Sequence, residues 1–211
     1  MTTSSSSSRR PPAATRDPQR AQERILAAAL AEFSAHGFAG ARVDRIARRA
    51  RINKRMLYHY FGDKEDLFRA ILQRKLAQRA AWLAHAPDDP VEALAYWFDL
   101  ASRDTDWIRL LQWEALQAGG GRLVEEEKRR ASFEKGIAIF RRNQARGVLS
   151  PDLDPRQTLL AMISLTTFPL AFPQVTRLVT GLAATSPEFR KRRAAFLRQF
   201  AAAFRPKGES A

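Results

Sequence analysis

Cysteine is absent from the 211 residues, which excludes disulfides, thiolate catalysis and thiol-ligated zinc and fits a reducing, cytoplasmic setting. Long apolar runs are missing too. The longest, around Leu159 to Phe172, is interrupted by Ser164, Thr166, Thr167 and Pro169 and falls short of the ~20 apolar residues that a membrane span needs. The first twenty residues contain five consecutive serines, Arg9, Arg10, Pro11 and Pro12, with no apolar stretch to serve as a signal-peptide core. A soluble chain is the expectation. Histidine is scarce: His36, His59 and His85 are the only three, and they lie on separate segments without the close-spaced ligands of a metal site. Neither a metal nor another cofactor is therefore expected. No Gly-rich phosphate loop and no nucleophile at suggestive spacing from a base is present, which argues against an enzyme. No segment alternates apolar and polar residues between turn signals, and no internal repeat is visible, so a β-sheet is not expected.

What the chain does have is positive charge. Lys and Arg number 36 against 22 Asp and Glu, for a formal net charge of +14 and an isoelectric point near 11.2. The excess is concentrated in the first 85 residues, with 17 basic and 7 acidic side chains there, against 19 and 15 in the remainder. Such a distribution points to a polyanionic partner for the N-terminal part. The 45% hydrophobic and 27% charged content is ordinary for a folded protein.

Helix punctuation divides the chain. Asp17-Pro18, Asp89-Pro90, Asp154-Pro155 and Ser186-Pro187 each place a capping side chain before a proline, whose missing N–H is no loss at the first helical position. Ile25, Leu26, Ala29, Leu30 and Phe33 form one apolar face, and Gly37 offers a left-handed stop, predicting a first helix over 18–36. Asp63 is an N-cap for a fourth helix whose stripe runs through Leu67, Phe68, Ile71, Leu72 and Leu76. Further helices are predicted at about 90–103, 106–118, 122–146, 155–172 and 187–204, the second of them marked by Thr105. The expected organisation is a disordered basic tail (1–17), a small helical head (18–62), a linking helix (63–85), a larger helical body (86–205) and a flexible tail (206–211). The fold class is all-α: a three-helix head on a larger helical body.

The segment 42–61 has the spacing of a helix-turn-helix. Two short helices crossing at a fixed angle need apolar contacts at fixed offsets, and the second keeps a polar outer face for the major groove. Ile46 and Ala47 face inward from the first helix, Ile52 and Leu57 follow at steps of five, and Tyr60 and Phe61 anchor the far end. Asn53 is placed to cap the second helix, which leaves Lys54, Arg55, Met56, Tyr58 and His59 on its outward side, and Asn53 is counted with them among the candidate polyanion contacts.

The stretch RVDRIARRARINKRMLYHYFGDKEDLFRAIL, residues 42–72, resembles the DNA-binding head of the tetracycline-repressor (TetR) family, and the run LYHYFGDKEDLF at 57–68 is close to that family's most recognisable signature. The resemblance covers about residues 20–76. It implies that Lys54, Arg55 and Met56 meet base edges or nearby phosphates, and that Tyr58, His59 and Lys64 hold the phosphate backbone. Arg42 stands where the family usually has a capping Ser or Thr that touches phosphate, and Arg51 stands at a turn position most often occupied by Gly, where a positive φ costs a side-chain-bearing residue about 1 kcal/mol.

The same resemblance implies a homodimer on a near-palindromic operator in double-stranded DNA and a body that senses a small-molecule effector. Trp97, Trp107, Trp113, Phe133, Phe140, Met162 and Phe168 are the candidates for lining a ligand cavity, although aromatics on helices are more often plain core. Arg103, Arg109, Gln112 and Glu114 could orient a ligand or be exposed polar surface. Leu159, Leu160, Ile163, Phe196, Leu197, Phe200 and Phe204 are the candidates for a four-helix dimer interface. A sequence-nonspecific DNA binder is the alternative suggested by the charge alone, and activation uses the same DNA contacts as repression.

Overall fold

Several helix starts are explained by a local cap. In the computed structural model, which describes residues 18–118 and 123–203, Asp89 accepts from the Val91 amide at 3.0 Å, Asp154 from Gln157 at 2.8 Å and Ser186 from Phe189 at 3.2 Å, each ahead of a proline in the first turn. Asp63 and Asp66 form a reciprocal capping box, satisfying two amides that the helix leaves without partners. Gly62 precedes it at φ 73°, and a Cβ there would sit 2.6 Å from the Asp66 carboxylate, so glycine is required twice over.

Ten helices and no strand are found among the described residues: α1 (Pro18–Gly40), α2 (Val43–Ala50), α3 (Lys54–Phe61), α4 (Lys64–Ala84), α5 (Pro90–Arg103), α6 (Thr105–Ala118), α7 (Glu126–Ala145), α8 (Pro155–Ala171), α9 (Pro173–Thr180) and α10 (Pro187–Ala202). Gly37 does interrupt α1, with φ 67° and ψ 178°, but a short helical segment continues to Gly40. Helix α7 starts at Glu126, later than the expected 122, behind Glu125 in the left-handed region at φ 56°. Helix α9 has no counterpart in the sequence reading. It is eight residues long, lacks a side-chain cap, and turns 89° from α8; so short a segment gives periodicity too little length to register. Asp17, Phe204 and the tails at 1–17 and 206–211 lie outside the described residues.

Two apolar cores result. The first joins Ile25, Ala29 and Phe33 of α1 to Ile46, Ala47, Leu57, Leu67, Phe68 and Leu72, and also takes in Trp107 and Leu110 from α6. The head is thus not closed by its own helices, because α6 of the body completes it. The second core packs Leu94 and Phe98 of α5 with Phe140, Met162, Phe189 and Leu197. Complete burial of a side chain such as Phe33 or Leu94 contributes about 1.5–3 kcal/mol each. Among the described residues no single helix is long and apolar enough to cross a membrane.

Two buried ion pairs tie helices together. Arg129 of α7 meets Glu114 of α6 through two hydrogen bonds, 2.6 and 3.0 Å, and both side chains are over nine-tenths buried. Lys75 of α4 pairs with Asp104 at the end of α5. Breaking such a pair leaves an uncompensated buried charge, which costs more than the intact pair contributes.

Candidate functional site

The start of α2 is held by a carboxylate from α1. The Glu32 Oε1 atom accepts from the Arg42 amide at 3.0 Å and from Arg45 Nε at 2.6 Å, while Arg45 Nη2 donates to the Gly40 carbonyl at 3.1 Å. Arg42 itself, at the N-cap position with extended backbone, makes no side-chain cap; Glu32 reaches across to supply the acceptor instead. Glu32 is buried. Burial alone would raise its pKa, but the Arg42 amide and then the Arg45 guanidinium outweigh it and hold the carboxyl below its ordinary range. An acid among the alanines of α1 gave no sequence signal for this role.

The turn between α2 and α3 runs through Arg51 at φ 56°, ψ 47°, the left-handed conformation. The Ile52 amide then donates to the Ala47 carbonyl at 3.0 Å, closing the turn, and the small Ala47 side chain lies in the head core. Asn53 accepts from the Met56 amide at 2.7 Å, so its side-chain oxygen is occupied in capping α3. Leu57 is the one fully buried residue of α3 and faces that core.

This anchoring leaves a basic outer face. Arg55, Tyr58 and His59 are exposed on α3, whereas Met56 is half-buried. Lys54 Nζ is 3.0 Å from Asp44 of α2, and the hydrogen bond and charge of that carboxylate raise the ammonium pKa. Lys64 is half-buried; its Nζ lies 3.4 Å from the Ala39 carbonyl and 4.9 Å from the centre of the Phe38 ring, at the junction of α1 and α4. Arg42, exposed, lies at the N-terminus of α2. Arg48, Arg49 and Arg51 were not singled out as DNA contacts by the sequence reading, yet they are exposed at the C-terminal end of α2, and no salt bridge engages them among the described residues. Their sequence signal was the run RRAR at 48–51.

The body holds two adjoining cavities of about 400 and 1010 Å³ that share Arg79, Leu83, Ser132, Phe133, Ile163 and Thr167. Of the expected lining residues, Trp97, Phe133, Phe140 and Met162 face the smaller, and Trp107 and Phe133 the larger. Trp113 and Phe168 line neither. Trp113 instead donates its indole N–H to the Ser34 carbonyl at 3.2 Å, and Phe168 is exposed against Phe172. Glu114 is the buried partner of Arg129, and Gln112 donates to the Ala171 carbonyl at 2.8 Å. Arg103 pairs with Asp99 on the surface, and Arg109 is exposed.

Among the residues expected at a dimer surface, Leu197 is a correction: it has no exposure and belongs to the body's own core. It lies on the α10 face shared with Phe189 and Ala201, one position round from Phe196. Leu160, Phe196 and Phe200 are 57%, 45% and 37% exposed, whereas Leu159 is half-buried against the body core and Ile163 lines the cavities. Helix α9 adds exposed Val175, Leu178 and Val179.

Residues 25–71 match the family model of bacterial regulatory proteins of the tetR family, and residues 89–202 match that of the tetracyclin repressor-like C-terminal domain. The chain is 34% identical to the HTH-type transcriptional repressor SCO4008 of Streptomyces coelicolor over 80% of its own length and 88% of the relative's. It is 33% identical to the HTH-type transcriptional repressor NicS of Pseudomonas putida, over 71% of its length and 75% of the relative's. The crystal structure of the transcriptional regulator SCO4942 of Streptomyces coelicolor superposes with a TM-score of 0.75 at 28% identity, over 88% of this chain and 98% of that one. With both halves matched and a helix-turn-helix in the first, this chain belongs to the TetR family and is a DNA-binding transcriptional regulator, not an enzyme.

Proposed function

We propose that the chain is a homodimeric, cytoplasmic repressor that binds a near-palindromic operator through α3 and leaves it when a small-molecule effector occupies the body. The observation that carries this reading is the position of Trp107, which lines the larger cavity and at the same time packs in the core of the DNA-binding head. A ligand that moves this ring acts directly on the residues that support α2 and α3. Release requires that the effector prefer the arrangement that does not fit DNA, because equal affinity for both arrangements shifts nothing.

Two identical heads must meet half-sites about one helical turn, or a multiple of it, apart. The exposed apolar residues of α8 and α10, with those of α9 beside them, support pairing with a second copy. In this reading 18–62 form the head, 63–85 the link and 86–205 the regulatory body. Two relatives that carry the name repressor favour repression over activation.

Selection of bound sequences from random DNA, at one stated salt concentration, tests the reading. Enrichment of a palindrome is the expected result. Failure to enrich any sequence would favour a nonspecific binder driven by the +14 charge, for which salt dependence without sequence preference is the signature.

A further inference from the structure

Arg79 of α4 projects among three indoles, its guanidinium carbon lying 5.5 Å from the ring centre of Trp107, 5.8 Å from Trp82 and 6.0 Å from Trp97. It lines both cavities, and no hydrogen bond or salt bridge engages it among the described residues. Every other charged group in the wall of the smaller cavity is matched, since Arg142 pairs with Asp88 at 3.1 Å. In the larger one, Arg129 is matched by Glu114, Arg130 by Glu126 and Lys128 by Glu125, while Lys135 is exposed and has no salt bridge among the described residues. Asp104, the acid that Arg79 senses through space, is taken by Lys75. An arginine stays protonated inside a protein, so the space where the cavities meet carries an unneutralised cation.

Arg79 is half-buried, and its guanidinium, five donors and no acceptor, faces the cavities with only indole rings against it, an arrangement that an anionic partner would complete. Its burial works against its charge and pushes its pKa down, with Asp104 only partly opposing. Asn143, in the wall of the smaller cavity, adds a second unmatched polar atom: its amide nitrogen donates to the Asp88 carbonyl, but its buried Oδ1 accepts nothing. The remaining wall is largely apolar, with Trp97, Phe140, Met162 and Ile163 among its residues.

From this arrangement we infer that the effector is an organic acid whose carboxylate pairs with Arg79 and whose apolar part fills the cavity lined by Trp97, Phe140 and Met162. The inference rests on the effector reading given above. The planar fork of arginine matches a carboxylate through two parallel hydrogen bonds, and the three indoles beside it hold the guanidinium in place by cation–π attraction. Arg79 stands one helical turn after Lys75, whose ion pair holds α4 to the α5–α6 junction. A new anion beside it therefore alters the charge balance at the helix that joins head to body.

The test is direct binding of matched acids and amides: 2-naphthoate with 2-naphthamide, indole-3-acetate with indole-3-acetamide, and decanoate with decanamide. Binding is read by calorimetry and thermal shift, and operator affinity is read by fluorescence anisotropy on the same samples. At least one carboxylate is expected to bind the full-length protein about tenfold or more tightly than its amide. R79M, and R79Q should the first fail to fold, are expected to abolish that preference, with R79K retaining part of it. Amides binding as well as acids, arginine-free variants holding the acid as tightly as wild type, or no carboxylate binding at millimolar concentration would each overturn the inference. Acid bound through Arg79 without any change in operator affinity would remove the effector reading and leave the site intact. Release of operator by a neutral molecule alone would do the reverse.

Discussion

The indole nitrogen of Trp113, on α6, donates a hydrogen bond to the Ser34 carbonyl, on α1, at 3.2 Å, so a residue of the body grips the first helix of the DNA-binding head 79 positions away in sequence. Replacing Trp113 with Phe removes the donor and keeps most of the ring. Loss of about 0.5–1.5 kcal/mol in urea denaturation is expected, the usual net contribution of one hydrogen bond. If this link also transmits the ligand state, the variant's operator affinity becomes less responsive to a bound effector; an unchanged response would show that coupling passes through Trp107 instead.

Glu32 supplies an acceptor to the first turn of α2 and its carboxyl is held below the ordinary value of 4.5. The stability it contributes is therefore fully present above that unfolded value and is lost as pH falls through the lower, folded one. Glu32→Gln should cost about 1.5–3 kcal/mol at pH 7, as for hydrogen bonds to a charged group. Urea titrations of both proteins should converge as the pH is lowered from 5 towards 3; a constant difference across that range would contradict the assignment.

Arg51 occupies a left-handed turn conformation at φ 56°. Arg51→Gly relieves the Cβ strain and should raise stability by about 0.5–1 kcal/mol, less the extra freedom glycine has when unfolded. The same change removes an exposed cation beside α3, so DNA affinity should fall even as the melting temperature rises. Parallel movement of the two quantities would show that the turn angle, and not the charge, governs DNA binding.

On α3 and at the start of α4 the two kinds of contact separate by experiment. Lys64→Ala should weaken binding to every sequence alike and reduce the slope of affinity against salt by about one counterion. Arg55→Ala should instead blur the preference at one or two operator positions, by about tenfold for a lost bidentate contact. Competition assays across a set of single-base operator variants distinguish these outcomes.

Leu160, Phe196 and Phe200 are exposed on neighbouring helices of one molecule. Introducing charge, as in Phe196→Glu combined with Leu160→Glu, should convert a dimer into monomers in sedimentation and abolish high-affinity operator binding while leaving the helical content unchanged. A dimer that persists would place the pairing surface elsewhere, with the exposed apolar residues of α9 next to be tested.

Much of the architecture was readable because its causes are local. A cap such as Asp154 acts on an amide three residues later, and an apolar stripe such as that through Leu67, Ile71 and Leu72 repeats within one or two turns. The turn strain at Arg51 and the capping role of Asn53 were legible for the same reason. What escaped notice acts over distance or lacks pattern: Glu32 among alanines, α9 between Pro173 and Gly181, and the neutralisation of Glu114 by Arg129. Leu197 illustrates the limit of apolarity as a guide, because Phe196 beside it is equally apolar yet faces outward.

The amino-acid sequence by itself determined the helices that carry DNA recognition, the basic face of α3 and the family to which they belong, since each depends on residues within a few positions of one another. Only the tertiary structure decided that Trp107 belongs to the head's core, that Leu197 is interior and that Arg79 has no salt bridge among the described residues. Those outcomes depend on which helix faces are brought together from distant parts of the chain, and burial and charge matching are properties of that meeting, not of any one helix.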